Sequence, residues 1–351
     1  VFKMALLTKI HFSKFLRFNS DLILPRLKDS SPLYTWSTNR VCNRCKNAGS
    51  LHKYATRGFR SVSKTQKEPS KWRLLRGPLA FTTLVTCGSF TGCSILQYER
   101  MRSQAENYLK GAKNSADNLF RKSGSFREHM NHYWSNLSPG KKMVAGIIGI
   151  NSLVFLLWRI PAAQGLMMRY FLSSPFMGAS SLSMLGSVFS HRGLFHFGAN
   201  MYVLWSFTDV IEQTLGKEQF LAVYLSAGVI SSFTSYAYKV ARMSTIPSLG
   251  ASGAVIALIG MTCIQYPKAQ LSIAFIGDII PHSFSAQSAM IGLLALDTMG
   301  VLMRWKLFDH AAHLGGMLFG IWYISYGKDI IWKGREPLIK YWHKIRGNIK
   351  R

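Results

Sequence analysis

Cysteine and acid are both scarce in this chain. Five cysteines in 351 residues (Cys42, Cys45, Cys87, Cys93 and Cys263) are too few and too scattered to staple a disulfide scaffold. Fifteen Asp and Glu stand against 43 Lys and Arg, a formal charge of +28. Spread evenly, that excess would indicate a nucleic-acid-binding face, but it is not spread evenly. Residues 1–76 hold 17 bases and 3 acids, and residues 77–98 hold no charge at all. Residues 143–327 carry 9 bases and 6 acids in 185 positions, too few to cover the surface of a water-soluble globule. There is no internal repeat and no pair of broken hydrophobic segments in corresponding halves, which argues against a transporter. What remains is 48% hydrophobic sequence laid out in long uncharged runs. The chain reads as an all-α polytopic membrane protein with a basic head.

A helix needs about 20 mostly apolar residues to cross the hydrocarbon of a bilayer. Seven intervals qualify. They are Gly77–Tyr98, Met143–Trp158, Gly193–Thr208, Gln219–Tyr238, about Leu249–Pro267, about Ala286–Met303 and His310–Gly327. The uncharged stretch Tyr170–His191 is set aside as a long, partly buried loop at the interface. Its interior, SSPFMGASSLS, is poor material for a lipid-exposed helix. The resulting plan is a head (1–76), one extra span (77–98), a basic amphipathic loop (99–142), a six-span core (143–327) and a basic tail (328–351).

The head opens FKMALLTKIHFSKFLRF, with bases set among apolar residues at helical spacing. That is the pattern of a mitochondrial presequence; the longer apolar core of a secretory signal is missing. Cys42 and Cys45 lie in this head with no second pair to complete a zinc site. Both tails are basic, so loop charge does not set an orientation.

Three spans contain polar groups where lipid disfavours them. The third contains His196 and Asn200, the fifth Ser252 within Gly250-Ala251-Ser252-Gly253, and the seventh His313. Alternate spans run in the same direction, and each group sits early in its helix. At about 1.5 Å per residue all lie roughly 5–12 Å below one membrane face. Taken singly these residues are ordinary: membrane serines usually bond back to a carbonyl one turn earlier, and histidines usually bridge helices. Their co-occurrence at one depth is what marks a site.

Serine becomes a nucleophile when a base within about 2.6–3.2 Å takes its proton, and His313 is the candidate base. That distance requires two helices to touch. Ala312, Gly316 and Gly320 form a small-residue stripe on the seventh span, with Gly253 and Ala257 as the facing surface on the fifth. The backbone N–H of Ser252, in the first turn of its helix, and the side chains of His196 and Asn200 are candidate oxyanion donors. His310 with His313, or His191 with His196, could pair on a metal. No His-Glu-x-x-His and no third ligand is evident, so neither a metal nor a cofactor is expected. Asp297 is an intramembrane acid, functional by default or else a structural partner of a neighbouring helix. With no acid at a defined orienting position, the chemistry reads as a Ser–His dyad.

In combination these motifs resemble the rhomboid intramembrane serine proteases. The residues concerned are His191, His196-x-x-x-Asn200, Glu212-x-x-x-Gly216, Gly250-x-Ser252-Gly253 and Ala312-His313-x-x-Gly316-x-x-x-Gly320. The extra span, the basic head and the run FDHAAHLGGMLFGIWY at 308–323 are similar to the mitochondrial, presenilin-associated rhomboid-like branch. The resemblance implies a 1+6 arrangement, in which one transmembrane helix precedes a six-helix rhomboid core. It implies Ser252 as nucleophile, His313 as general base, oxyanion assistance from His196 and Asn200, and no metal or cofactor. The implied partners are single-span membrane proteins in the mitochondrial inner membrane, among them a dynamin-like GTPase and imported quality-control proteins. Roles in mitochondrial dynamics, mitophagy and cell death follow from the same resemblance. Two positions depart from the family pattern: Ile256 stands where bacterial members often have a tyrosine, and Arg169-Tyr170 stands in place of a loop Trp-Arg. Polar residues of the long loop (Ser173, Ser174, Ser180, Ser181) would help keep the cavity wet. The competing readings are a catalytically inactive, client-binding relative and, less favoured, a transporter.

Overall fold

The computed structural model describes residues 70–110, 125–176, 181–272 and 283–349. The presequence pattern, Cys42, Cys45 and Ser180 lie outside these residues. A helix occurs at each of the seven intervals. In chain order the helices are α1 (Lys71–Lys110), α2 (Ser125–Asn136), α3 (Pro139–Leu157), α4 (Gln164–Tyr170) and α5 (Ser183–Gly186). Then come α6 (Leu194–Leu215), α7 (Lys217–Arg242), α8 (Ser252–Gln265), α9 (Ala286–Met303), α10 (His310–Trp322) and α11 (Glu336–Ile349). A π-helical stretch, Tyr323–Trp332, continues α10, and two-residue strands Gln270–Leu271 and Phe284–Ser285 pair antiparallel ahead of α9. Helices α1, α3, α7 and α9 are long and apolar enough to cross a membrane, and α8 is a shorter apolar helix.

Several boundaries differ from the sequence expectation, each for a local reason. The first span does not stop at Tyr98; α1 continues to Lys110, through what was expected to be loop. Arg102 pairs with Glu99 and Glu106 one turn away on either side, and Arg100 grips Glu218 of α7 at 2.6 and 2.9 Å. The third span runs through Asp209 and Glu212 because both acids have partners. Lys141 reaches Asp209 at 2.6 Å, and Glu212 accepts from the Ser138 hydroxyl and the Gly140 N–H at 2.5 and 2.6 Å. Helix α6 ends only where Gly216 takes a positive φ of 76°. The fifth span, α8, starts later than Leu249, at Ser252, because Ser248 is tied to Ser173 in a β-bridge and Gly250 adopts φ 133°. The expected tail is instead helical: α11 docks on α1 through Trp342 Nε1 to Glu99 (2.8 Å), Arg346 to Glu99 (2.8 Å) and His343 against Tyr98. The long loop contains α5 and a 3-10 turn, and its Ser173 and Ser174 are buried, so neither hydroxyl faces an open cavity.

The core gathers faces of α1, α3, α6, α7, α8 and α10. Phe90 and Cys93 of α1 meet Phe220, Val223, Tyr224 and Ala227 of α7, and these meet Ala254, Ala257, Leu258 and Met261 of α8. The opposite faces stay apolar and exposed, as at Leu84, Leu153, Met299 and Leu318. Exposed large apolar side chains on α1, α3, α9 and α10 are what a lipid solvent permits and water disfavours.

Candidate active site

Helices α8 and α10 approach until backbone touches backbone. A Cβ placed on Gly316 would overlap the carbonyl oxygen of Gly253, and one on Gly320 would overlap that of Ala257. Only glycine fits at either position, and the small-residue stripe read from the sequence faces its expected partner. This seam sets the height of two side chains. Ser252 Oγ lies 2.9 Å from His313 Nε2.

The other face of the His313 ring meets an acid. Its Nδ1 is 3.2 Å from Asp297 Oδ1, a residue of α9 that is 1% exposed. A carboxylate only accepts, so the proton of the neutral imidazole sits on Nδ1 and the lone pair of Nε2 faces the serine hydroxyl. His310 Nδ1 meets the same carboxylate oxygen at 2.7 Å. The sequence had assigned no orienting acid; Asp297 occupies that position in space. The signal available was its depth in an apolar helix, since sixteen residues of separation gave no hint of contact with His313. Phe308 was also missed. Its ring lies 6.2 Å from that of His313, tilted by 34°.

The loop before Ser252 is fixed at three points. Ser173 and Ser248 exchange backbone bonds, Gly250 N–H donates to Ser187 O at 2.8 Å, and Ala251 N–H donates to His191 Nε2 at 3.3 Å. Gly250 needs its bare Cα: a Cβ there would come within 2.7 Å of His196 Cε1. The His196 ring therefore lies over the turn that delivers Ser252, in contact with His191 (ring centroids 4.9 Å apart). Asn200 Nδ2 donates to the His196 carbonyl at 2.8 Å, one turn back on its own helix, which leaves its second amide hydrogen uncommitted. Ser252 opens α8, so its N–H precedes the first intrahelical acceptor.

Burial pushes His191, which precedes α6, down to about 3, and a charge on His196 would oppose its protonation further. At the start of α10, Asp309 caps the helix by accepting from Ala312 N–H at 3.1 Å. Ser235 donates to it at 2.6 Å, Lys239 at 3.3 Å, and Ser248 also donates. Burial alone would raise the Asp309 carboxyl, but the Lys239 ammonium, the two hydroxyls and the Ala312 N–H together hold it below the ordinary value. This cluster joins α10, α7 and the loop before Ser252 at a single carboxylate.

A family model described as a Rhomboid domain matches residues 179–328. The presenilin-associated rhomboid-like protein, mitochondrial, of Homo sapiens is 49% identical over 291 residues, which cover 82% of this chain and 76% of that protein. Presenilin-associated rhomboid-like protein A, mitochondrial, of Danio rerio is 42% identical over 298 residues, 79% of this chain and 77% of that protein. Rhomboid protein 1, mitochondrial, of Saccharomyces cerevisiae is 34% identical over 203 residues, 56% and 58% of the two chains.

Proposed function

The chain belongs to the rhomboid family, and we propose that it is an intramembrane serine endopeptidase cutting transmembrane segments of other membrane proteins. The observation that carries this reading is the 2.9 Å contact between Ser252 Oγ and His313 Nε2, made across a glycine seam between two apolar helices. Nothing in helix packing requires a hydroxyl and an imidazole there, and both sit in proton-transfer geometry.

In the proposed reaction a single-span substrate unwinds locally beside the core and presents a peptide bond. His313 Nε2 takes the Ser252 proton as Oγ attacks the carbonyl carbon. Asp297 holds the ring in the correct tautomer and supports the imidazolium that forms, so the expected dyad becomes a chain of three groups. The Ser252 N–H, His196 and the free amide hydrogen of Asn200 face the developing oxyanion. His313 then protonates the departing amine, leaving an acyl-serine. Water, deprotonated by the same histidine, releases the carboxylic acid and restores Ser252. No metal or cofactor takes part in this scheme.

The proposed setting is the mitochondrial inner membrane, in keeping with the mitochondrial names of the relatives and the presequence pattern of residues 1–76. The proposed arrangement is α1 ahead of a six-helix core formed by α3, α6, α7, α8, α9 and α10. Wild type and Ser252→Ala, each co-expressed with a single-span reporter, test the assignment. Ser252→Ala should fold, insert and cut nothing, and a fluorophosphonate probe should label only wild type. Undiminished cleavage by Ser252→Ala would sink the proposal.

A further inference from the structure

His310 and His313 are three residues apart on α10, so both rings leave the same helix face. Asp297 reaches them from α9, and one ligand atom from each of the three residues lies within 4.8 Å of the others. Both imidazoles turn Nδ1 to one carboxylate oxygen, at 2.7 and 3.2 Å. A carboxylate at 1% exposure is costly unless its charge is met. Among the described residues its ion-pair partners are these two histidines, with no Lys or Arg.

His310 is held firmly. Its ring sits against Gly300, where a Cβ would overlap it, and between the edges of Trp305 and Phe308. The proposed reaction makes no use of it, and its buried Nε2 has no hydrogen-bond partner. With Nδ1 on the acid its proton sits there, and the idle Nε2 can receive that proton if a cation takes the place of the hydrogen bond.

We propose that Asp297, His310 and His313 form an inhibitory site for a transition-metal dication of the zinc class, held by Asp297 Oδ1 and the two Nδ1 atoms. Zinc bonds nitrogen and oxygen at about 2.0–2.2 Å in a tetrahedron, placing ligand atoms roughly 3.3–3.5 Å apart. The two nitrogen–oxygen distances, 2.7 and 3.2 Å, lie within about 1 Å of that spacing, and water would fill the fourth position. Coordination uses the Nδ1 lone pair of each neutral ring, so each ring's proton moves to Nε2. At His310 that is the idle nitrogen. At His313 it is the nitrogen facing Ser252, which then donates to the hydroxyl and has no lone pair to accept its proton. The metal silences the base without touching the serine. This inference rests on His313 being the base, as argued under Proposed function.

Binding and activity are read separately. Full-length Ser252→Ala in detergent, titrated with cobalt(II), should develop the visible absorption of a tetrahedral ion, and zinc should displace it. Adding His310→Asn should weaken cobalt binding at least about 10-fold; Asp297→Asn gives the same reading should the first variant misfold. In wild type, zinc should stop cleavage of a single-span substrate, and a chelator should restore it. The half-inhibitory zinc concentration should rise at least about 10-fold in His310→Asn, measured against that variant's own zinc-free rate. Replacing the exposed pair His129 and His132 on α2 by asparagine should leave both readouts where they were. Absence of the cobalt spectrum, an unchanged spectrum in both ligand variants, or zinc sensitivity that follows His129 and His132 overturns the site. Cobalt bound by a protein whose metal-free wild type cuts nothing upholds the site and overturns the protease reading.

Discussion

Asp297 does work that its type alone does not announce. Asn in its place keeps the volume but offers an amide N–H to His313 Nδ1, which favours the proton on Nε2, the wrong side for a base. Asp297→Asn should therefore lower kcat by about 10²–10⁴-fold with KM moved less than about twofold. Single-turnover cleavage and the rate of fluorophosphonate labelling would check this, and a full-rate variant would assign the acid to packing alone. His191 carries a different expectation. The fold keeps it neutral down to about 3, while an unfolded chain takes up the proton near 6.5. Its contribution is therefore complete above pH 6.5 and declines as pH falls through that window. Thermal unfolding in detergent should show stability falling on acidification, with a flatter slope in His191→Gln, whose side-chain oxygen can still accept from Ala251. The approach of Ser252 to His313 was legible from sequence because their depths matched. Asp297 and Phe308 were not, since their value lies in which way α9 and the turn before α10 face.

Between helices, the decisive feature is the glycine seam of α8 and α10. Gly320→Ala puts a methyl group into the Ala257 carbonyl, and the helices must part by tenths of an ångström or more. A loss of about 1–3 kcal/mol in stability is expected, together with slower cleavage, because Ser252 and His313 separate. Gly198→Ala on α6, where nothing lies within 4 Å of the added carbon, should be neutral or stabilising by up to about 1 kcal/mol. Equal effects at the two positions would remove the seam from the explanation. The seam was readable because small residues every four positions have one main use in a membrane helix. Helix ends were less readable: Asp209, Glu212 and Glu99 look like stop signals until their partners Lys141, Ser138 and Arg346 are seen in space.

Across the molecule, α1 is held to α7 by the two-pronged Arg100–Glu218 pair, with Glu218 only 6% exposed, and to the π-helical stretch by Phe90 stacked on Tyr323 at 5.3 Å. Glu218→Ala leaves Arg100 without its acceptor and should cost about 1–3 kcal/mol. Co-expression of residues 1–110 and 125–351 as separate pieces, followed by co-purification, would show whether the α1 piece stays with the remainder; retention equal to wild type would deny the pair any part in docking. The seven apolar intervals were apparent from charge alone, but the attachment of α1 was not, because its partners lie more than a hundred residues away.

Helix α11 closes on Glu99 and Tyr98, so the earliest helix of the described fold finishes its contacts with one that leaves the ribosome after all the others. Without α11, Glu99 keeps its pairing with Arg102 inside α1 but loses the bonds from Trp342 and Arg346. The fold is therefore not closed until α11 is in place, and a bulky fusion that holds α11 away from α1 should lower the temperature at which the protein unfolds in detergent.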